Sequence, residues 1–131
     1  MEIAVSQQQG RVPVTVFQVK GELTADTATA FDATVAQAIR NGTRGLILDL
    51  TDVPFIGSFG IRSINRTLVA LYEANGLTDD DARRVLRTGA KAPYLKLLNP
   101  NPEVVKVLEA SGLDMLLEMH RDLQETVASF S

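Results

Sequence analysis

Ser58 is the residue whose type and setting most invite chemistry. It stands between Gly57 and Phe59-Gly60, after the turn Thr51-Asp52-Val53-Pro54-Phe55-Ile56. A buried strand, Leu46 to Leu50, runs into that turn, and an amphipathic pattern follows it at once. The spacing therefore predicts Ser58 at a helix N-terminus, on the surface. There its hydroxyl is reachable, and the unpaired backbone N–H groups favour negative charge. A serine so placed is either a helix cap or a phosphate acceptor. Gly57, Phe59 and Arg62 are expected to share its surface. Arg62 is four residues on, within reach of a phosphate at Ser58, and regular helical spacing puts Phe59 with Arg62, Arg66 and Glu73 opposite the Ile61/Ile64/Leu68/Leu71 stripe; an irregular first turn would instead tuck Phe59 inward. Gly57 is expected to give the turn a backbone shape closed to other residues.

Other chemistry is thin. Cysteine is absent and His120 is the single histidine, which excludes disulfides, thiolate catalysis and a His-rich metal site. Asp49 and Asp52 lack a third ligand for a hard cation, so no metal and no cofactor is expected. Gly57-Ser58-Phe59-Gly60 lacks the Lys-Ser/Thr ending of a phosphate-cradling loop. No paired acid and base is visible, and an enzyme is the least favoured class.

The elements that must position Ser58 follow from periodicity. The 131 residues carry 45% hydrophobic and 22% charged side chains, which fits one globular domain. The net charge of −3 argues against nucleic acid as a partner. No apolar run approaches the roughly 20 residues of a membrane span, and no signal peptide opens the chain; a cytoplasmic protein is expected. Strands are expected at Ile3–Val5, Val12–Lys20, Leu46–Leu50, Tyr94–Leu98 and Leu116–Met119, with Gln7-Gln8-Gln9-Gly10 as a polar turn. Helices are expected from Ala25 to Arg40, from Ser58 to Ala74, from Thr78 to Arg87, from Pro102 to the Gly112 stop, and from Asp122 toward Phe130. Ala82, Val85 and Leu86 are the short helix's apolar residues. The alternation predicts an α/β domain with a mostly parallel (mixed) sheet and helices predominantly on one side. Asp49 and Lys96, breaking apolar strands, suggest that the other face is partly wet.

Several segments together resemble a known family. Gly21-Glu22-Leu23-Thr24, Leu46-Ile47-Leu48-Asp49-Leu50-Thr51-Asp52-Val53, Gly57-Ser58-Phe59-Gly60-Ile61 and Ser111-Gly112-Leu113-Asp114 are similar, in order and spacing, to the STAS domain of anti-sigma factor antagonists. The resemblance spans nearly the whole chain, residues 1–131, and implies sequential winding of the sheet. It puts Ser58 on the position phosphorylated in that family. Gly57 stands where the family usually has an acid, Phe59 where it has a small residue, and residues 77–92 form a longer link than usual, read as an insertion with a short helix.

The resemblance implies a phosphoprotein and protein–protein interaction switch in signalling and transcription regulation. Its partners would be a serine kinase or anti-sigma-type protein and a phosphatase, with dimerisation left open. The alternative is a constitutive regulatory or assembly subunit of the same fold, in a stress-signalling scaffold or beside a transporter, in which Ser58 only caps its helix. A small-ligand or nucleotide module is a third class. It would require a sizeable pocket with a few converging polar groups.

Overall fold

The structure, a computed structural model, describes residues 1–131 except the side chains of Val85 and Leu86. Those two expected apolar residues of the short helix therefore lie outside the described residues. Five strands, β1 (Glu2–Gln9), β2 (Pro13–Lys20), β3 (Leu46–Asp52), β4 (Leu95–Leu98) and β5 (Met119–His120), form one sheet in the order of the chain. β1 and β2 are an antiparallel hairpin, and every later pair is parallel. The helices are α1 (Ala25–Arg40), α2 (Ser58–Ala74), α3 (Asp79–Arg87), α4 (Pro102–Ser111) and α5 (Leu123–Ala128), with a 3-10 turn at Leu113–Met115.

Alternation along the strands sorts the core. Phe17, Leu46, Leu48, Leu95 and Leu97 turn to the face covered by α1, α2 and α4, where Phe31, Ile64, Leu71 and Leu108 meet them. Phe17 and Phe31 meet edge to face, with centroids 6.4 Å apart. Val14, Val16, Ile47 and Leu98 turn the other way, against Val127 and Phe130 at the end of the chain. Helices thus lie predominantly on one side, and α5 covers part of the other. Ala82 of α3 packs at the border of the larger core.

The second face is drier than Lys96 and Asp49 suggest. Lys96 is only 3% exposed. Its Nζ donates to the Ser129 carbonyl at 2.9 Å and to Ser129 Oγ at 3.0 Å, and pairs with Glu118 Oε2 at 3.0 Å. It also lies 4.7 Å from the centroid of the Phe130 ring. An ammonium is tolerated in such a place because its protons find acceptors. Burial opposes ionisation of Glu118, yet Lys96 and His120, both bonded to it, hold its carboxyl below the usual value.

Other boundaries also move. Gln7, Gln8 and Gln9 belong to β1, not to a turn, because each takes a register partner on β2, and the turn begins at Gly10. The last strand is Met119–His120 rather than Leu116–Met119, since the 3-10 turn carries the chain past Leu113 before it joins β4. His120 is therefore a strand residue, bonded to Glu118 at 3.0 Å.

Candidate functional site

The carboxyl ends of the parallel strands gather three loops: Gly21–Leu23 after β2, Val53–Gly57 after β3, and Asn99–Asn101 after β4. The first two are laced together. Leu23 N–H donates to the Phe55 carbonyl at 3.1 Å, and Gly57 N–H donates to the Leu23 carbonyl at 2.9 Å. Leu23 and Ile56 thereby form an isolated parallel bridge, both fully buried. Gly60 seals this contact. A Cβ there would collide with the Leu23 carbonyl and lie 2.8 Å from Ile56 Cγ2. The start of α2 sits directly on the backbone of the preceding turn, and only glycine allows that approach.

The third loop braces the second. Asn101 Oδ1 accepts from Val104 N–H at 2.8 Å and so caps α4. Its amide donates to the Val53 carbonyl at 3.2 Å and reaches the Pro54 carbonyl at 3.5 Å. Asn99 has a left-handed backbone, φ 56°, and its amide reaches Thr51 Oγ1 at 3.2 Å. Thr51 in turn donates to Asp49 Oδ1 from its hydroxyl at 2.6 Å and its N–H at 3.1 Å. Asp49 is engaged in this turn, and no cluster of acids and histidine suited to a metal occurs among the described residues.

On this platform α2 begins at Ser58. Gly57 is the capping residue, and its carbonyl accepts from Ile61 N–H at 3.0 Å. No side chain caps the helix. The reading of Ser58 as the cap is therefore overturned: Ser58 is one residue too far in for its hydroxyl to fold back on the first turn. The expected special backbone at Gly57 is also absent. Its φ of −90° and ψ of −179° are extended values open to any residue, and a Cβ there would make ordinary contacts, the nearest 3.6 Å from Phe55 Cε1.

Ser58, Phe59 and Arg62 are all exposed, and Gly57 is half-buried. Ser58 makes no side-chain hydrogen bond among the described residues. Phe59 is 46% exposed, and the Arg62 guanidinium lies 5.1 Å from its ring centroid, within cation–π range. Arg62 enters no ion pair among the described residues, whereas Arg66, one turn on, is bound to Asp32 of α1 at 2.8 Å. Phe55, 47% exposed, flanks Gly57 and adds a second aromatic ring. Sequence reasoning passed over Phe55, at which the Val53-Pro54-Phe55 run hinted. It reads Asn101 as the cap of the helix that starts at Pro102, which the structure bears out, but nothing local hinted at its bond to the loop before α2.

The strand order never reverses, so the sheet has no topological switch point. The site is an exposed surface with two aromatic rings and, among the described residues, a hydroxyl without a hydrogen bond, a guanidinium without an ion pair and a helix N-terminus without a side-chain cap.

The family model for the STAS domain matches residues 4–77. A sequence search of curated proteins gives no match. Among solved structures, a Thermotoga maritima protein provisionally designated an anti-sigma factor antagonist shares 21% identity, covering 95% of this chain and 90% of that one, with a TM-score of 0.73. The phosphorylated form of the Bacillus cell fate determinant SpoIIAA shares 22% identity over 95% and 96% of the two chains, with a TM-score of 0.60. The murine anion transporter Slc26a9 is also similar. It shares 15% identity and a TM-score of 0.64 over 87% of this chain but 17% of that one.

Proposed function

The chain belongs to the STAS domain family, and from that premise we propose that it is a protein-interaction switch of the anti-sigma factor antagonist kind. STAS domains are generally regulatory and non-enzymatic. In our reading Ser58 accepts a phosphoryl group from a serine kinase of anti-sigma type, and the same kinase, or a protein like it, docks on Gly57, Ser58, Phe59 and Arg62 with Phe55 at the rim. A phosphatase would reset the site.

The observation that carries this reading is the state of Ser58: an exposed hydroxyl with no internal partner, at the first residue of a helix whose loop is held from both sides. A phosphoryl group adds about −1.5 to −2 charges. The open first turn of α2 and the Arg62 guanidinium both favour that charge. The domain therefore keeps its fold when modified, and what changes is the partner surface, where an aromatic, weakly cationic patch becomes anionic. The likeness to the SpoIIAA structure supports the same reading. The likeness to a transporter segment favours the constitutive alternative, in which Ser58 stays unmodified beside the Gly57 cap.

The test is direct. Incubated with ATP and a kinase-containing extract of its own cell, the protein is expected to gain one phosphoryl group by intact mass, mapped by peptide fragmentation to Ser58. Ser58→Ala should gain none. Modification elsewhere, or none in the wild type, would sink the proposal.

A further inference from the structure

The opposite end of the sheet, where β2, β3 and β4 begin, holds a cavity of about 460 Å³. That volume is ordinary for a small-molecule site, roughly 300–1,000 Å³. Its walls are of two kinds. Pro13, Pro93, Tyr94 and Phe130 make an apolar side, and the Tyr94 ring is set edge-on against Tyr72, with centroids 5.9 Å apart. Gln7, Thr15, Thr43 and Arg44 make a polar side.

On the polar side Thr15 and Thr43 lie deep, while Gln7 and Arg44 are exposed at the mouth. Thr15 and Thr43 are 2% and 8% exposed, and their hydroxyl oxygens lie 2.7 Å apart. Thr15 has one hydroxyl proton, which goes to Gln7 Oε1 at 3.1 Å. With the Gln7 amide oxygen turned toward Thr15, Thr43 donates to Thr15. The Gln7 amide NH2 is left with no acceptor among the described residues. Arg44 donates from Nη1 to the Ile39 carbonyl at 3.2 Å and the Thr43 carbonyl at 2.7 Å. These bonds fix the guanidinium while its remaining N–H groups stay unspent. Arg44 has no ion-pair partner among the described residues; no Asp or Glu side chain lines the cavity, though Ser131, the last residue of the sequence, is at its wall.

The ends of α1 and α2 also reach the rim, and helix C-termini disfavour anions. Here that partial charge is already covered. Arg44 takes the Ile39 carbonyl, Thr43 N–H takes the Ala38 carbonyl, and the Asn75 amide takes the Leu71 carbonyl.

We propose that this cavity binds a small organic acid. Its carboxylate pairs with Arg44 and accepts from the Gln7 amide, and its aromatic or branched body lies against Tyr94 and Phe130. The polar side offers surplus donors and one unpaired cation, and a carboxylate supplies acceptors and an anion in one planar group. The site is independent of Ser58 and lies at the other end of the strands.

Phenylacetate and its neutral amide, phenylacetamide, are suitable probes, titrated into labelled protein and followed by backbone amide shifts. Phenylacetate should produce saturable shifts at Thr15, Thr43 and Gly45 and leave Phe55 to Arg62 unmoved. Phenylacetamide should bind about tenfold more weakly, and Arg44→Gln should lose about tenfold for the acid while the amide binds as before. The acid–amide comparison on the wild-type chain needs no variant to fold. No saturation by about 20 mM phenylacetate, equal affinity for acid and amide, wild-type binding by Arg44→Gln, or shifts centred on another surface would each overturn the proposal.

Discussion

Helices α2 and α4 begin in the same way and end up with opposite uses. Each follows an extended residue, Gly57 or Asn101, whose carbonyl accepts from the N–H four residues on, at 3.0 and 2.9 Å. At α4 the first turn is closed. Pro102 has no N–H to leave open, and Asn101 Oδ1 takes that of Val104. The closed end then serves as a brace, because the same Asn101 amide holds the loop before α2. At α2 a glycine sits where a capping side chain would, so the N–H groups of Ser58, Phe59 and Gly60 keep no partner within the helix. Asn101 takes a donor of one N-terminus inside the molecule, and no side chain takes those of the other. The difference lies in two residues, Asn101 and Pro102 against Gly57 and Ser58, and it separates a capped helix start from an uncapped one.

The largest effect should come from Gly60, where the two starts differ in how closely they approach other backbone. Gly60→Ala forces a methyl group against the Leu23 carbonyl and Ile56, and overpacking against backbone is expected to cost about 2–3 kcal/mol. Urea unfolding measures it, and a loss under about 0.5 kcal/mol would mean that the latch between the two loops is loose. Asn101→Ala comes next. Removing the cap should cost about 1–2 kcal/mol, and amide exchange at Ile56 and Gly57 should quicken because the Val53 carbonyl loses its donor. If only α4 loosens, the brace is not transmitted.

A third helix start, α5, is also closed, by Asp122 Oδ2 accepting from Glu125 N–H at 2.9 Å, and its far end is tied through Lys96 to Glu118. Because the Glu118 carboxyl is held below its usual value despite partial burial, its contribution is fully present above the ordinary glutamate pKa. It is lost as pH falls through the depressed one. Glu118→Gln should therefore flatten the acid limb of a stability–pH profile; an unchanged limb would mean that the tie between β4 and α5 does not depend on that charge.

The smallest effect should be at Ser58. Without a capping bond, Ser58→Ala should shift stability by less than about 0.5 kcal/mol, and Ser58→Asp should be neutral or slightly stabilising, by about 0.3–1 kcal/mol. Thermal melts of both variants decide this. A loss of about 1 kcal/mol in Ser58→Ala would return the serine to a capping role and erase the contrast with Asn101.

What could be read in advance was whatever depends on neighbours in the chain. The bounds of α1 and α2 follow from apolar spacing and from Asn41-Gly42 and Asn75-Gly76 stops, and the exposure of Phe59 and Arg62 follows from the same spacing. The position of Ser58 was legible to within one residue, but that residue decides between a cap and a first-turn hydroxyl. Contacts far apart in sequence were not legible. The Leu23 latch, the Asn101 brace and the Thr15–Thr43 pair exist only once the strands are aligned. Lys96 reads as a wet-face residue because its acceptors at Glu118 and Ser129 lie more than twenty positions away. The polar Gln7–Gln9 run looks like a turn because an edge strand can expose both faces, which removes the alternation that identifies strands.

The order of the strands across the sheet is the order in which a ribosome would release them. Each new strand finds its neighbour already made: β2 pairs with β1, β3 with β2, and so on to β5. No strand has to be inserted between two that have already joined, so loop closure at each step spans only the latest segment. When residue 77 emerges, the segments of the hairpin, β3, α1 and α2 and both sides of the Leu23 latch have been synthesised, while the Asn101 brace has not. The Leu23 latch can thus close before the Asn101 brace, the last two strands and α5 have been synthesised.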